Sequence, residues 1–314
     1  MTEKTRHQLE RLRKNLKDVI FGKDEVIEKI LIALLSGGNI LMEDVPGVGK
    51  TTLAKALALS IDGIFHRIQF TPDLLPSDII GTLVYNPKDS EFYFRQGPVF
   101  ANVLLADEIN RASPRTQSAL LESMNESQVT VEGKTYKLPH PFLVIATENP
   151  IEHQGTYHLP EAQLDRFAMQ ISVGYPDEEN ELNILFSRKE EDPLQKISPV
   201  ITCQEISELQ EEVKKVSIEK SVALYMTRIV RETREDSKIR LGLSPRALLS
   251  LSRSAQAKAF IGGRDFVIPD DVKHLAVEVL SHRIILDNRA QFAGAGADKR
   301  RVIREILEKL EIPV

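Results

Sequence analysis

Residues Pro46-Gly47-Val48-Gly49-Lys50-Thr51-Thr52 set two glycines, a lysine and two hydroxyls between an apolar stretch and a helix-like run. A phosphate chain needs a loop whose N–H groups point inward, and Gly47 and Gly49 let the backbone take that shape. The N-terminus of the helix that follows turns its positive end to the phosphates. In such a loop Lys50 reaches the β- and γ-phosphates and the Thr51 hydroxyl ligates Mg²⁺. ATP with Mg²⁺ is the expected ligand, with Asp44, Val45, Pro46, Gly47, Val48, Gly49, Lys50, Thr51 and Thr52 as candidate contacts. One residue departs from the pattern G-x-x-x-x-G-K-[ST]: Asp44 stands where the first glycine belongs.

Two further stretches could complete the chemistry. Val103-Leu104-Leu105-Ala106 is apolar and ends in Asp107-Glu108. A strand ending this way sets Asp107 at the edge of a sheet, where it can hold Mg²⁺ through water, and Glu108 can then polarise the attacking water. Alone, such a pair is an ordinary solvated strand end; following a phosphate loop it reads as catalytic. Ala146-Thr147-Glu148-Asn149-Pro150 ends another apolar run, and the Asn149 amide can hold the water in line. The bland alternative for Asn149 is a turn residue before proline.

These motifs need a scaffold that brings strand ends together. The first half alternates short apolar strands (Ile40–Met42, Phe65–Phe70, Val103–Ala106, Leu143–Ala146, Ile171–Val173) with helices at Asp24–Leu35, Lys50–Leu59 and Pro114–Met124. That alternation predicts a doubly wound parallel α/β sheet. Residues 83–94 and 128–138 interrupt it and read as β-hairpins, with turns at Asn86-Pro87-Lys88-Asp89 and Gly133-Lys134. After Pro176 only helical spacing continues. The expected organisation is an α/β nucleotide-binding core over residues 1–176 and an all-helical lid over residues 177–314.

Composition excludes several classes. Forty-one basic residues against 46 acidic ones give a formal charge of −5, which disfavours a general binder of nucleic-acid backbone. The single Cys203 rules out an internal disulfide and cysteine-rich metal sites. His153 and His158 lack a third ligand nearby. The opening residues are charged and helix-like, and no apolar run approaches the roughly 20 residues a membrane span needs. Cytoplasmic residence without membrane insertion is expected.

Taken together, the phosphate loop, the Asp-Glu strand, the strand-end Asn and the helical lid resemble the AAA+ ATPases, and the closer resemblance is to the MoxR family. It is carried by Leu41–Thr51, by Phe70-Thr71-Pro72-Asp73-Leu74-Leu75-Pro76-Ser77-Asp78, by Gly97–Asn102 and by Asp107–Ala112. Gly155–Phe167, Ser244-Pro245-Arg246-Ala247 and Val267–Val272 extend it over almost the whole chain. Asp44 at the glycine position is common in that family. The resemblance implies an ATPase working in a ring, a hexamer, that remodels partner proteins or loads a metal or cofactor. The implied partner is a protein with a von Willebrand factor A domain. It further implies that Arg166 is an arginine finger acting on the neighbouring subunit's ATP and that Arg246 is the sensor-2 arginine of the lid. Arg111 would face the subunit interface, and the two hairpins the pore or partners. The rival readings are a helicase-type nucleic-acid motor, a magnesium-chelatase-like motor subunit and a nucleotide-gated scaffold without catalysis. Lys88, Arg95, Lys134 and Lys137 on the hairpins are offset by Asp89, Glu91 and Glu132, which makes nucleic acid the weaker expectation.

Overall fold

The computed structural model describes residues 2–45, 47–148, 157–187, 193–287 and 298–313. Two helices come first, α1 (Glu3–Lys17) and α2 (Asp24–Ser36), and Gly37 ends α2 at a φ of 67°. β1 (Ile40–Glu43) then leads through the glycine-rich loop into α3 (Lys50–Ser60), followed by β2 (Phe65–Gln69). A short helix, α4 (Pro76–Ile80), introduces the hairpin of β3 (Gly81–Asn86) and β4 (Glu91–Gln96). Next are β5 (Val103–Asp107) and α5 (Pro114–Glu126), then a second hairpin, β6 (Gln128–Val131) and β7 (Lys134–Lys137). β8 (Leu143–Glu148), the short α6 (Glu161–Leu164) and β9 (Met169–Ile171) complete this half.

Five strands form one parallel sheet in the order β2-β5-β8-β1-β9. Its central strands are apolar up to their carboxyl ends because both faces are covered there. Strand alternation sorts their side chains cleanly. Ile40, Met42, Val103, Leu105, Leu143 and Ile145 join the apolar cluster of α1, α2, α3 and the C-terminal helices. Leu41, Leu104, Ala106, Val144 and Ala146 join the opposite cluster, with Leu120 and Leu121 of α5. Each such fully buried Val, Leu, Ile or Met side chain contributes about 1.5–3 kcal/mol. The chain leaves β1 for the far edge at β2 and works back, so strand order switches direction beside β1. A doubly wound sheet opens its crevice at such a switch, outside the carboxyl ends of the strands.

The C-terminal half is helical, with α7 (Glu178–Ser187), α8 (Cys203–Val213), α9 (Lys220–Glu235), α10 (Pro245–Ile261) and α11 (Pro269–Leu280). Lys299–Lys309 forms α12. α8 starts on a reciprocal cap: the Thr202 hydroxyl accepts from Glu205 N–H (3.2 Å) and the Glu205 carboxylate accepts from Thr202 N–H (3.0 Å). α8 and α10 both pack on α2. The helical half therefore shares an apolar cluster with one face of the sheet.

Three details differ from the sequence expectation. The last strand is Met169–Ile171, not Ile171–Val173, because Ser172, Val173 and Gly174 spend their donors on the Asp44 carboxylate. The helical half also contains a two-stranded antiparallel ribbon, β10 (Ile239–Leu241) with β11 (Ile285–Leu286), too short to show a period of two. The second hairpin turns on Glu132 and Gly133, with φ of 48° and 78°, while Lys134 already pairs with Val131. Positive φ at both turn residues matches the twist of the flanking strands. The two hairpins also touch each other. Phe94 stacks on Tyr136 with ring centroids 4.1 Å apart, and on Phe100 edge-on at 5.7 Å.

Candidate functional site

At the carboxyl edge of the sheet lies a cleft of about 370 Å³ lined by Asp44, Gly47, Gly49, Lys50, Thr51, Thr52, Arg67, Gln69, Asp107, Glu108 and Thr147. Lys50, Thr51, Asp107 and Glu108, expected together from the sequence, do converge there. Gly47 and Gly49 have φ of 86° and 92°, a region that a side chain would disfavour. Gly49 directly precedes Lys50, the first residue of α3, so the unpaired N–H groups of that helix face the cleft. The Lys50 ammonium donates to the carbonyl of Asp44 at 3.1 Å.

The two carboxylates are held by different partners. Asp107 accepts from the Thr147 hydroxyl at 2.6 Å and from the Arg67 guanidinium at 2.7 Å. Glu108 has a left-handed backbone (φ 56°, ψ 52°), a conformation uncommon outside glycine. Its N–H donates to the Thr147 oxygen at 2.8 Å and its carbonyl accepts from Arg111 N–H at 2.9 Å. Its carboxylate accepts from the Gln69 amide (2.7 Å) and the Arg111 guanidinium (3.0 Å). Arg111 thus reaches Glu108 of its own chain. Thr51 and Asp107 present a hydroxyl and a carboxylate to one space, the hard oxygen donors that Mg²⁺ prefers when phosphates supply the rest. The donor set fits that ion.

Arg67, Gln69 and Thr147 were not singled out by the sequence reading. Arg67 and Gln69 alternate with the buried Ile68 on β2, a period-two pattern that puts both polar side chains on one face. The signal for Thr147 was its place one residue after Ala146, in register beside the β5 end. Glu148, the next residue, is pushed up to about 7 by burial and by Glu43 across the β1–β8 register, against an opposing effect of Lys299. Pro46 and Asn149 lie outside the described residues.

Arg166 and Arg246 do not line this cleft. Both border a separate cavity of about 280 Å³, with Asn39, Ser250 and Arg253 among its other walls. The Arg166 guanidinium donates to the Leu121 carbonyl of its own chain at 2.9 Å. Its sequence neighbour Asp165 pairs instead with Arg283 (2.9 Å), whose side chain is 1% exposed, and accepts from the Ser244 hydroxyl at 3.0 and 3.1 Å. Burial holds Arg283 down to about 10, against the pull of Asp165. Since Ser244 also caps α10 by accepting from Ala247 N–H (3.2 Å), Asp165 ties the segment that leads into Arg166 to the start of the helix that carries Arg246.

Comparison with known proteins accounts for this layout. Residues 39–169 match the model of the ATPase family associated with various cellular activities (AAA), and residues 231–306 match the AAA lid domain. The chain is 42% identical to Chaperone MoxR1 of Mycobacterium tuberculosis, over 98% of this chain and 83% of that protein. The chain belongs to the MoxR family of AAA+ ATPases. It is also 48% identical to the YeaC protein of Bacillus subtilis over 96% and 93% of the two chains, and 31% identical to Protein MoxR of Paracoccus denitrificans over 86% of each. A crystal structure of a Cytophaga hutchinsonii protein superposes with a TM-score of 0.91 at 42% identity, covering 98% of this chain and 96% of that one. In this MoxR-type fold the phosphate loop, the Asp-Glu strand and the lid stand in the order the sequence implied. No described helix is long and apolar enough to cross a membrane.

Proposed function

We propose that the chain hydrolyses Mg-ATP and uses the cycle to remodel partner proteins, as one subunit of a ring of six. The carrying observation is the convergence of Lys50, Thr51, Asp107 and Glu108 in one cleft at the carboxyl edge of the sheet. Lys50 leaves the Asp44 carbonyl to meet the β- and γ-phosphates, and the N–H groups at the start of α3 hold their oxygens. Thr51 and Asp107 would hold Mg²⁺, which neutralises phosphate charge when bound. Glu108 orients the attacking water and draws on its proton; water adds to the γ-phosphorus, the bond to the β-phosphate oxygen breaks, and ADP and phosphate leave. Gln69 and Arg111 both hold the Glu108 carboxylate through Oε2, which fixes its orientation and lets Oε1 meet the water. Asn149 would keep that water in line.

A neighbouring subunit completes the site. Arg166 and Arg246 lie away from their own phosphate loop but share one cavity, which suits two cations offered together to the next subunit's nucleotide. Charge on the transition state is then stabilised only in the assembled ring. The division into a core over 1–176 and a lid over 177–314 belongs to the same reading, with the shared apolar cluster transmitting lid position to the loop. The remodelling role rests on the family and on the name of the mycobacterial relative, a chaperone. A partner protein with a von Willebrand factor A domain and work in the cytoplasm are part of it. Exposed Tyr85, Phe92 and Tyr93 on the first hairpin favour a protein partner over a phosphate backbone, because the basic residues there are balanced by acids.

Nucleotide titrations and steady-state hydrolysis test the assignment. Lys50→Ala loses ATP binding, whereas Glu108→Gln binds ATP and does not turn over. Equal ATP affinity for Lys50→Ala and wild type refutes the site. ATPase stimulation by DNA that weakens steeply with salt replaces the remodelling reading with the helicase-type one.

A further inference from the structure

Asp44 occupies the position of a glycine in the general phosphate-loop pattern, and its carboxylate is bonded to residues 172–174. The residue is 6% exposed. One oxygen accepts from the Ser172 hydroxyl (3.0 Å) and from Gly174 N–H (3.1 Å); the other accepts from Val173 N–H. Three donors on one carboxylate, two of them main-chain, make a strong and directional anchor. Its carbonyl, on the opposite side, takes the Lys50 ammonium. The anchored segment lies just beyond β9 and continues to Tyr175, whose carbonyl accepts from Lys23 at 2.7 Å, and then into α7.

We propose that Asp44 is a positioning residue for ATP binding, clamping the entrance of the phosphate loop to residues 172–174. The proposal rests on the reading of the cleft as an ATP site. A glycine at 44 would leave Val173 and Gly174 N–H groups without their acceptor and free the loop entrance from the segment that follows β9. The loop would then have to be ordered by the nucleotide itself, and that cost falls on affinity. The Asp44 carboxylate is spent on these three donors, so its loss spares the turnover of bound ATP. A loss confined to affinity separates this role from general destabilisation, which lowers the active fraction and leaves the affinity of the remaining molecules unchanged.

The test is titration of full-length protein with a fluorescent ATP analogue and Mg²⁺, alongside KM and kcat. Asp44→Gly, which restores the generic motif, binds about tenfold more weakly, in line with loss of charged hydrogen bonds. Its kcat at saturating ATP stays within about threefold. Ser172→Ala weakens binding less, and the double variant Asp44→Gly/Ser172→Ala binds no more weakly than Asp44→Gly alone, because both changes break one contact. If Asp44→Gly does not fold, Asp44→Asn carries the test: its amide opposes a donor with a donor and weakens binding at near-wild-type melting temperature. Wild-type affinity in the folded variant overturns the proposal. Lys50→Ala measured in parallel separates the two readings. If Lys50→Ala loses ATP while Asp44→Gly keeps it, only the clamp fails; if Lys50→Ala binds like wild type, the site itself fails.

Discussion

Thr147 stands between Asp107 and Glu108: its hydroxyl donates to the Asp107 carboxylate at 2.6 Å, and the same oxygen accepts Glu108 N–H at 2.8 Å. One hydroxyl from β8 thus orients the carboxylate that would meet the metal and the backbone of the one that would meet the water. Thr147→Val keeps the shape and removes both bonds. We expect kcat to fall about tenfold or more, by analogy with losing one to two hydrogen bonds to charged or strained groups. ATP affinity should change much less, since the loop around Lys50 is untouched. Single-turnover hydrolysis beside a nucleotide titration checks this; equal losses in both would assign Thr147 to binding.

Arg166 and Lys50 face different spaces in one chain, so their variants should complement. Arg166→Ala binds ATP through an intact loop but does not activate its neighbour, and Lys50→Ala binds none but still offers Arg166. Mixing the two inactive proteins should restore part of the hydrolysis, provided both enter one ring, as native mass spectrometry can establish. Full activity of Arg166→Ala alone, or of a dilute monomer, would show that each chain holds a complete site.

Asp165 and Arg283 form an ion pair in which the arginine side chain is almost wholly buried. Asp165→Ala leaves that cation unpaired and should cost about 3–5 kcal/mol of stability. Arg166→Ala should cost about 1 kcal/mol, because it loses one hydrogen bond to a carbonyl. Urea denaturation of the two variants side by side tests the contrast. Similar small losses would mean that water reaches Arg283 once Asp165 is gone.

Glu148 gives a pH dependence with a definite sign. Its folded pKa is raised from 4.5 to about 7, so the folded protein holds a proton that the unfolded chain releases. Stability from this group is therefore greatest below pH 4.5 and declines as pH rises to about 7, by up to about 3 kcal/mol. Glu148→Gln should remove that decline and be more stable than wild type at pH 8. Denaturation curves at pH 5 and pH 8 decide it. An unchanged slope in the variant would place the titration elsewhere.

The shape of the glycine-rich loop was legible from the residues alone, because it depends on neighbours in the chain: glycines at 47 and 49, then Lys50 and Thr51 at the helix start. The parallel sheet was legible for a similar reason. A strand buried on both faces must be apolar over its whole length, as in Val103–Ala106 and Leu143–Ala146, and a hairpin announces itself by turn residues. What the sequence could not reveal were the partners that carboxylates find far away in the chain. Asp44 anchors Ser172 from 128 residues away, and Asp165 finds Arg283 at a separation of 118 rather than the arginine beside it. A carboxylate attracts every cation and donor equally in one dimension, so its partner is chosen in space: by the strand ends that the order β2-β5-β8-β1-β9 brings side by side for Asp44, and by the helices packed on the sheet for Asp165. The same order set Arg67 and Gln69 of β2 against Asp107 and Glu108 of β5, and α10 packing set Arg246 with Arg166, away from their own phosphate loop. Local backbone preference wrote the first set of facts; strand adjacency and helix packing wrote the second.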